Sequence, residues 1–290
     1  KPAGGDPDLI IAVIDSGVDY NHPDLADNIW INTTEADGAP GIDDDGNGVI
    51  DDIHGANFLG STSGDPMDDS FHGTHIAGII GMVADNGIGG VGIAYNCQIM
   101  PIKASQYNGQ LSSTNIAEAI NYAVQNGADV INMSFGSSAK SQLVEDALLA
   151  AKDSAILVAS AGNQASPNES PLPNAQAYYP AAYDFVLGVM ASRQNPDESG
   201  DYLTSFSNWD SKNYSSIEYE ILAPGTSMVS TAPEGEYFTL NGSSMATPVV
   251  SSIAALIRTQ YPDTDQFSPD FIAGQILGSG AERQGKTFEE

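Results

Sequence analysis

The chain of 290 residues has one cysteine, Cys97, so no disulfide can form within it. Secreted proteins permit disulfides without requiring them, and the cysteine count therefore leaves the compartment open. Cys97 opens an apolar segment, residues 97–104, which predicts that its side chain packs inside the fold.

Basic residues are also scarce, since 9 lysines and arginines stand against 38 aspartates and glutamates, for a formal net charge of −29. Such a surface repels other anions, so we expect neither nucleic acid nor an anionic membrane surface as a partner. Two interpretations of the acidity stay open. It accompanies metal binding or a salty exterior, or it is a solvated face that keeps the protein soluble.

Long apolar runs are missing as well. No stretch of about 18 apolar residues occurs, so we expect no membrane-spanning helix. Residues Lys1 to Gly5 are polar and do not resemble a signal peptide. An apolar fraction of 41% at this length still suffices for a large core, and without repeats or low-complexity linkers we expect a single domain over residues 1–290.

Apolar segments that predict strands alternate with segments that predict helices, after a long polar region at about residues 21–70. Strands are predicted at 10–14, 97–104, 129–133, 155–160, 186–190 and 217–222, and helices at 76–83, 112–125, 142–152 and 244–257. This alternation is typical of an α/β fold, here a three-layer sandwich with a mostly parallel central sheet and helices on both faces.

A serine, Ser244, stands at the start of the last of these helices. The first amides of a helix have no partner within it and lie at its positive end. The Ser244 hydroxyl would therefore have a donor beside it that suits the negative charge of an acyl-transfer reaction. The ordinary interpretation of a serine here is a helix cap, a role for which Ser243 is the other candidate.

Two upstream residues offer the groups that would activate a serine. Asp15 ends the strand predicted at 10–14, at the edge where open α/β sheets place their sites. His72 opens the segment before the helix at 76–83, and its ordinary pKa of about 6.5 suits a general base. Asp15 alone would be interpreted as a turn former, but the order Asp, His, Ser at three element ends favours catalysis.

Four motifs in this order resemble those of the subtilisin-like serine proteases, from about Leu9 to at least Leu277. The order Asp, His, Ser separates this family from other hydrolases with the same triad. The motifs are Ala12 to Gly17 around Asp15, His72 to His75, Val158 to Asn163, and Gly242 to Pro248 around Ser244.

The resemblance implies a role for each of these residues. Ser244 would be the nucleophile, and His72 the base that takes its proton and then protonates the leaving amine. Asp15 would hold the histidine tautomer and stabilise the imidazolium. The Asn163 side chain would donate to the oxyanion together with the Ser244 amide. The expected activity is that of a serine endopeptidase that works through an acyl-enzyme.

The other histidines receive structural interpretations. His75 lies one turn after His72 and is expected to pack inside the fold. Zinc binding by this pair is disfavoured, because it needs a third ligand and such pairs more often lie four residues apart. His22 and His54 are expected in solvated turns.

Residues 43–52, called the acidic loop here, contain five aspartates in ten positions. Asp43, Asp45 and Asn47 alternate, and the backbone oxygen of Val49 follows, as in the first half of an EF-hand loop. The EF-hand glutamate is missing, so Asp51 or Asp52 would close the site. Aspartates this close repel one another unless a cation lies among them. We therefore expect a structural Ca²⁺ in preference to a disordered acidic loop.

The resemblance implies a second calcium site, for two or more Ca²⁺ ions in all. Its ligands would be the side chains of Asp24 and Asn86 and the backbone oxygens of Ala84, Ile88 and Gly90. The competing interpretation is a glycine-rich turn in which Asp24 acts as a cap.

The resemblance also implies where a polypeptide substrate would lie. Backbone pairing with an extended substrate would come from Ser134 and Gly136 on one side and from the segment around Gly109 on the other. Phe135 and Tyr107 would wall an apolar pocket four residues before the cut.

The primary specificity pocket would be lined by Ser160, Ala161 and Gly162. Tyr178 aligns roughly where many relatives have a glycine at the base of this pocket. We therefore expect a shortened pocket that prefers small or medium side chains.

Further expectations concern the protein's setting. The resemblance implies a mature domain, released from a pro-region that aids its folding and inhibits its activity until it is cleaved away. It also implies a secreted or secretory-pathway location and a monomer. A catalytically idle calcium-binding or scaffold protein is disfavoured by the intact set of Asp15, His72, Asn163 and Ser244. A peptide ligase or macrocyclase stays open, because it would use the same acyl-enzyme with an amine in place of water.

Overall fold

Eight strands form the central sheet of the structure, a computed structural model that describes residues 4–60, 64–164, 177–194, 201–209 and 219–279. These strands are β1 Ile10–Asp15, β2 Ala56–Asn57, β3 Gln98–Lys103, β4 Val130–Met133, β5 Ile156–Ser160, β6 Leu187–Gln194, β7 Asp201–Leu203 and β8 Ile221–Pro224. Their spatial order is β2-β3-β1-β4-β5-β6, with β7 and β8 both paired to β6. Every described pairing in this sheet is parallel except the one between β6 and β7.

The described helices and a separate β-ribbon surround the sheet. The helices are α1 Thr33–Ala36, α2 His72–Gly81, α3 Ser113–Gln125, α4 Gln142–Ala151, α5 Ser243–Gln260 and α6 Pro269–Ser279. The ribbon consists of β9 Met228–Ala232 and β10 Glu236–Leu240, which pair antiparallel. None of the described helices is long and apolar enough to cross a membrane.

The two faces of the sheet bury separate apolar cores, because successive side chains of a strand point to opposite faces. Along β1, Ala12 and Ile14 join the core formed with α3 and α4. Ile11 and Val13 join the other core, formed with α2 and α5. A parallel sheet covered on both sides explains the continuous apolar run of β1. The predicted three-layer α/β sandwich is thereby confirmed.

Element ends differ from the sequence prediction in several places. β6 extends to Gln194, beyond the predicted 186–190, and α5 runs to Gln260. The predicted strand 217–222 corresponds to β8, and its residues 217 and 218 lie outside the described residues. The polar region 21–70 contains α1 and β2. Cys97 is buried directly before β3, as predicted.

Candidate active site

Asp15 and His72 meet at the carboxyl end of β1, where Asp15 is the last residue of the strand and His72 is the first of α2. His72 Nδ1 lies 2.7 Å from Asp15 Oδ1, and the Ser16 amide donates to the same oxygen at 2.7 Å. The close approach of α2 to β1 depends on Gly73, since a Cβ there would lie 2.0 Å from the Gly17 carbonyl oxygen.

The surroundings of His72 favour its protonated form. Its side chain is 30% exposed, whereas that of Asp15 is 5% exposed. Burial lowers the pKa of His72, but the charge and hydrogen bond of Asp15 and the charge of Asp68 raise it by more. The net pKa therefore lies above the ordinary histidine value.

Asp68 is a buried carboxylate behind this pair that the sequence analysis missed. Its Oδ1 accepts from the Ser16 hydroxyl at 2.9 Å, and its Oδ2 accepts from the amide and hydroxyl of Thr74 at 3.0 and 2.6 Å. The Ser16 hydroxyl in turn accepts from the Gly73 amide at 3.0 Å. These bonds tie the end of β1 to the first turn of α2. The available signal was an aspartate four residues before His72, because side-chain acceptors are favoured just before a helix.

Ser244 is the second residue of α5, which packs against α2. Its hydroxyl donates to the Ser134 carbonyl at 3.0 Å, and the Ser134 hydroxyl donates to the Ser244 carbonyl at 2.9 Å. The Ser244 carbonyl is free for this bond because Pro248, four residues later, has no amide hydrogen. Among the described contacts, the Ser244 hydroxyl makes no hydrogen bond to His72.

The prediction that Ser243 caps α5 is wrong. Gly242 is the residue before the helix, and Ser243 is its first helical residue. The Ser243 hydroxyl instead accepts from the Gly162 amide at 3.1 Å, while the Ser243 amide donates to Asn163 Oδ1 at 2.9 Å. Both bonds tie the end of β5 to the start of α5.

This hydrogen bond holds Asn163 at the N-terminal end of α5. Because its Oδ1 accepts from the Ser243 amide, its Nδ2 hydrogens remain available on the other side of the amide group. A Cβ built on Gly242 would lie 3.3 Å from Asn163 Nδ2, so this nitrogen borders the segment that leads into Ser244. The arrangement suits a donor for charge that develops beside the serine.

Of the other histidines, His22 and His54 are more enclosed than expected. His75 is fully buried as predicted, with Nε2 at 3.1 and 3.2 Å from the carbonyl oxygens of Met228 and Phe238. The prediction of a solvated His22 is wrong, because its ring is buried and its Nδ1 accepts from the Asp24 amide at 3.1 Å. His54 is half-buried and stacks on another ring, so it is not a freely solvated residue either.

Three carboxylates converge at the acidic loop, and one of them is Glu35 of α1, which the sequence analysis missed. Glu35, Asp43 and Asp45 each offer a carboxylate oxygen within 4.8 Å of the others. Glu35 is buried and accepts from the amides of Asp44, Asp45 and Asp51 at 2.6, 3.0 and 3.1 Å. No ion pair among the described residues joins a lysine or arginine to this cluster. An all-oxygen, carboxylate-rich set fits Ca²⁺.

The structure does not bring Asp52 into this cluster as the predicted closing ligand. Asp52 is fully buried and accepts from the Tyr122 hydroxyl of α3. It also accepts from Asn47 and Asn32 at 2.9 and 3.0 Å. The Val49 side chain is buried, which anchors the end of the loop in the core. Asp52 therefore joins the loop to the protein, and Glu35 is the carboxylate that lies with Asp43 and Asp45.

Asp24 and Asn86 lie together as the second predicted site requires, but their polar atoms are satisfied by protein groups. The buried Asp24 accepts from Asn86 Nδ2 at 2.6 Å, the Tyr237 hydroxyl at 3.0 Å and the Gly90 amide at 3.3 Å. Asn86 Oδ1 accepts from the Ile88 amide at 3.1 Å. The turn interpretation, in which Asp24 organises the loop, accounts for these contacts. None of these described hydrogen bonds of Asp24 and Asn86 involves the backbone oxygen of Ala84.

Of the residues expected to line the primary pocket, Gly162 lies against the ring of Tyr178. Ser160, Ala161 and Gly162 are buried at the end of β5 and just beyond it. A Cβ on Gly162 would lie 2.8 Å from Tyr178 Cδ1, and one on Gly136 would lie 2.5 Å from Tyr178 Cε1. The tyrosine ring therefore lies against both glycine backbones.

The predicted pocket between Tyr107 and Phe135 is not formed by described contacts. Tyr107 is 72% exposed, whereas Phe135 packs against the core. Tyr107 belongs to a tight turn in which the Gly109 amide donates to the Gln106 carbonyl at 2.8 Å. This turn projects the tyrosine into solvent.

Comparisons with known proteins agree with this fold and site. The model of the subtilase family, Peptidase_S8, matches residues 6–286. Subtilisin-like protease 1 of Plasmodium falciparum (isolate 3D7) is 38% identical over 264 residues, which are 87% of this chain and 38% of that protein. Subtilisin DY of Bacillus licheniformis is 38% identical over 213 residues, 72% of this chain and 71% of that protein.

A solved structure is also similar to this chain, and together with the family match it shows the family to which the chain belongs. The structure titled S41 Psychrophilic Protease has a TM-score of 0.77 and 28% identity, and covers 95% of this chain and 83% of that one. The chain belongs to the subtilase family of subtilisin-like serine proteases. It spans about two fifths of the length of the Plasmodium falciparum relative.

Proposed function

We propose that this chain is the catalytic domain of a serine endopeptidase, with Ser244 as the nucleophile. The observation that carries the proposal is the 2.7 Å contact of Asp15 with His72 beside the helix that begins with Ser243 and Ser244. A histidine held by a buried carboxylate at one nitrogen has its other nitrogen free for a serine hydroxyl.

The reaction begins when the Ser244 hydroxyl turns from the Ser134 carbonyl to His72 Nε2. As Oγ attacks the substrate carbonyl, the proton moves to His72, and Asp15 stabilises the imidazolium through Nδ1. The Asn163 side chain and the Ser244 amide receive the oxyanion. His72 then protonates the leaving amine, and a water molecule deprotonated by the same imidazole releases the acyl group.

The test is hydrolysis of an unstructured protein, with the cut sites mapped by mass spectrometry. The wild-type chain is expected to cut internal peptide bonds, and Ser244→Ala is expected to abolish the cuts while the protein stays folded. Internal cutting that survives Ser244→Ala would overturn the assignment. Products joined through a new peptide bond would instead identify a ligase that uses the same acyl-enzyme.

We propose that one Ca²⁺ binds at the acidic loop, held by Glu35, Asp43 and Asp45 with the side chain of Asn47 and the backbone oxygen of Val49. The support is the convergence of three carboxylate oxygens within 4.8 Å. When bound, the ion would neutralise these carboxylates and fix the loop. Calcium at Asp24 and Asn86 stays a prediction from the family resemblance.

The primary pocket is proposed to be short, and the support is the contact of the Tyr178 ring with the backbones of Gly136 and Gly162. A ring in this position leaves room for small or medium substrate side chains. Ser134 and Gly136 are proposed to pair with the substrate backbone on one side, and the turn of Tyr107 and Gly109 on the other.

The setting of the enzyme is proposed from the family resemblance. The chain would act as a monomeric single domain over residues 1–290, released from a pro-region, in a secreted or secretory-pathway location. Gel filtration of the protein and its detection in culture medium test these points.

A further inference from the structure

Two exposed phenylalanines form an apolar surface directly beside His72. Phe71 and Phe238 are 41% and 43% exposed, and their ring centroids lie 6.1 Å apart at an interplanar angle of 70°. Large apolar side chains exposed together next to a catalytic group indicate a contact surface more strongly than scattered ones do.

The surface continues along β10 toward the nucleophile. Phe238 pairs with Ser230 and Leu240 pairs with Met228, so these residues lie on one face of the ribbon formed by β9 and β10. Leu240 and Met228 are partly buried against the core. The apolar strip therefore runs from Phe71 through Phe238 to Leu240, four residues before Ser244.

Hydrogen bonds fix this ribbon to α2. The Ser230 hydroxyl donates to the His75 carbonyl at 2.7 Å, and the Thr231 hydroxyl donates to the Thr74 carbonyl at 2.8 Å. His75 Nε2 lies 3.2 Å from the Phe238 carbonyl oxygen. The strip is therefore held in a constant position relative to His72, as a specificity surface requires.

The chemistry of the proposed reaction decides which part of a substrate meets this strip. The acyl portion lies toward Ser134, whose backbone contacts Ser244, and Asn163. The leaving amine must lie at His72, because the imidazole delivers its proton. The segment that follows the cleaved bond therefore starts beside Phe71 and continues over the ribbon.

We propose that Phe71, Phe238 and Leu240 bind a large apolar side chain of the substrate on the C-terminal side of the cleaved bond. This inference rests on the proposed function, since the polypeptide is brought to the strip by the catalytic site. It gives the enzyme a preference on the leaving side that is independent of the pocket at Tyr178.

The test uses peptides with one constant N-terminal half and varied residues in the first three positions after the cut. For the wild-type chain, kcat/KM is expected to be about tenfold higher with Leu or Phe than with Ala or Asp in one of these positions. Phe238→Ala is expected to reduce this ratio to about twofold or less, and Phe238→Leu to give an intermediate ratio.

A matched control is Val229→Ala, which removes another apolar side chain from the same ribbon. Val229 is 61% exposed and pairs with Thr239, so it lies on the opposite face from Phe238. This variant is expected to keep the wild-type ratio. A wild-type ratio near one, or an equal loss of the ratio in both variants, would overturn the inference.

A peptidyl methyl ester separates this failure from failure of the proposed function. Its leaving group is too small to reach Phe238, so wild-type ester hydrolysis reports on Ser244 and His72 alone. Ester hydrolysis without a leaving-side preference would contradict the inference about the apolar strip and leave the proposed function intact. Absence of both ester hydrolysis and peptide cleavage in the wild-type chain would contradict both proposals.

Discussion

The end of β1 and the acidic loop both concentrate carboxylates at an edge of the fold, but they compensate charge differently. At the end of β1, Asp15 faces His72, and Asp68 behind it accepts from Ser16 and Thr74. At the acidic loop, the three converging carboxylates accept from backbone amides and asparagine side chains, and within the described ion pairs they face no lysine or arginine.

With the Ca²⁺ proposed above, this difference separates a site organised by the protein alone from a site organised together with an ion. Charges paired with a histidine and hydroxyls can be held in one geometry by the fold alone. Carboxylates that face one another repel until a cation enters. Substitutions in the first region should therefore change rates, and substitutions in the second should change calcium-dependent stability.

Among substitutions of the carboxylates compared above, the largest effect is expected from Asp15→Asn. An asparagine would hold the wrong histidine tautomer, so kcat should fall by about 10⁴-fold, the size known for this change in a serine protease triad. The measurement is kcat on a short peptide, with circular dichroism to verify the fold. Asp69→Asn is the matched control, because Asp69 pairs with Lys103 at 2.8 Å on the exposed side. A loss below about tenfold for Asp15→Asn would contradict its role.

Calcium removal should act on stability. At a calcium concentration 100 times the dissociation constant, the ion should add about 2.7 kcal/mol to the free energy of unfolding. Asp43→Asn should lose most of this increment while its stability in chelator stays near that of the wild type. Thermal melts with calcium and with chelator measure both quantities.

The control for this prediction is Asp37→Asn, an exposed acid outside the converging cluster. It should keep the full calcium increment. Equal melting of the wild-type chain with and without calcium would contradict the proposed site.

Tyr178→Gly should widen the primary pocket and raise the kcat/KM ratio of Phe over Ala before the cut by about tenfold. The physical reason is removal of the ring that contacts Gly136 and Gly162. A peptide library measures the change, and Tyr107→Ala, which removes a tyrosine that is 72% exposed, should leave that ratio unaltered. A wild-type preference for Phe or Tyr would show that the ring does not shorten the pocket.

Asp68→Asn should have the smallest effect, on the pH profile. The Asp68 charge raises the pKa of His72, so its removal should lower that pKa. Since kcat/KM falls when His72 is protonated, the acid limb should move to lower pH by less than about one unit. Asp69→Asn should not move it. An unchanged limb in Asp68→Asn would show that this charge is not felt at His72.

The sequence predicted those parts of the protein that depend on local pattern. The strand before Asp15 and the helices at His72 and Ser244 follow from apolar segments and their end residues. Glu35 escaped prediction because it reaches the acidic loop from a separate short helix. The place of Asp52 outside the converging carboxylates was not foreseen, because the Tyr122 hydroxyl, a partner 70 residues away, is brought to it only by folding. Contacts between residues that are far apart in the sequence cannot be read from local pattern, because they form only when folding buries the residues together.

The most direct measurement of triad action compares His72→Ala, Ser244→Ala and the double variant. If one imidazole serves one hydroxyl, each single change removes the whole unit. All three should then show the same residual kcat, about 10⁶-fold below wild type as known for a subtilisin. If the double variant instead loses the product of the two single losses, His72 and Ser244 act independently, and the proposed catalytic mechanism is wrong.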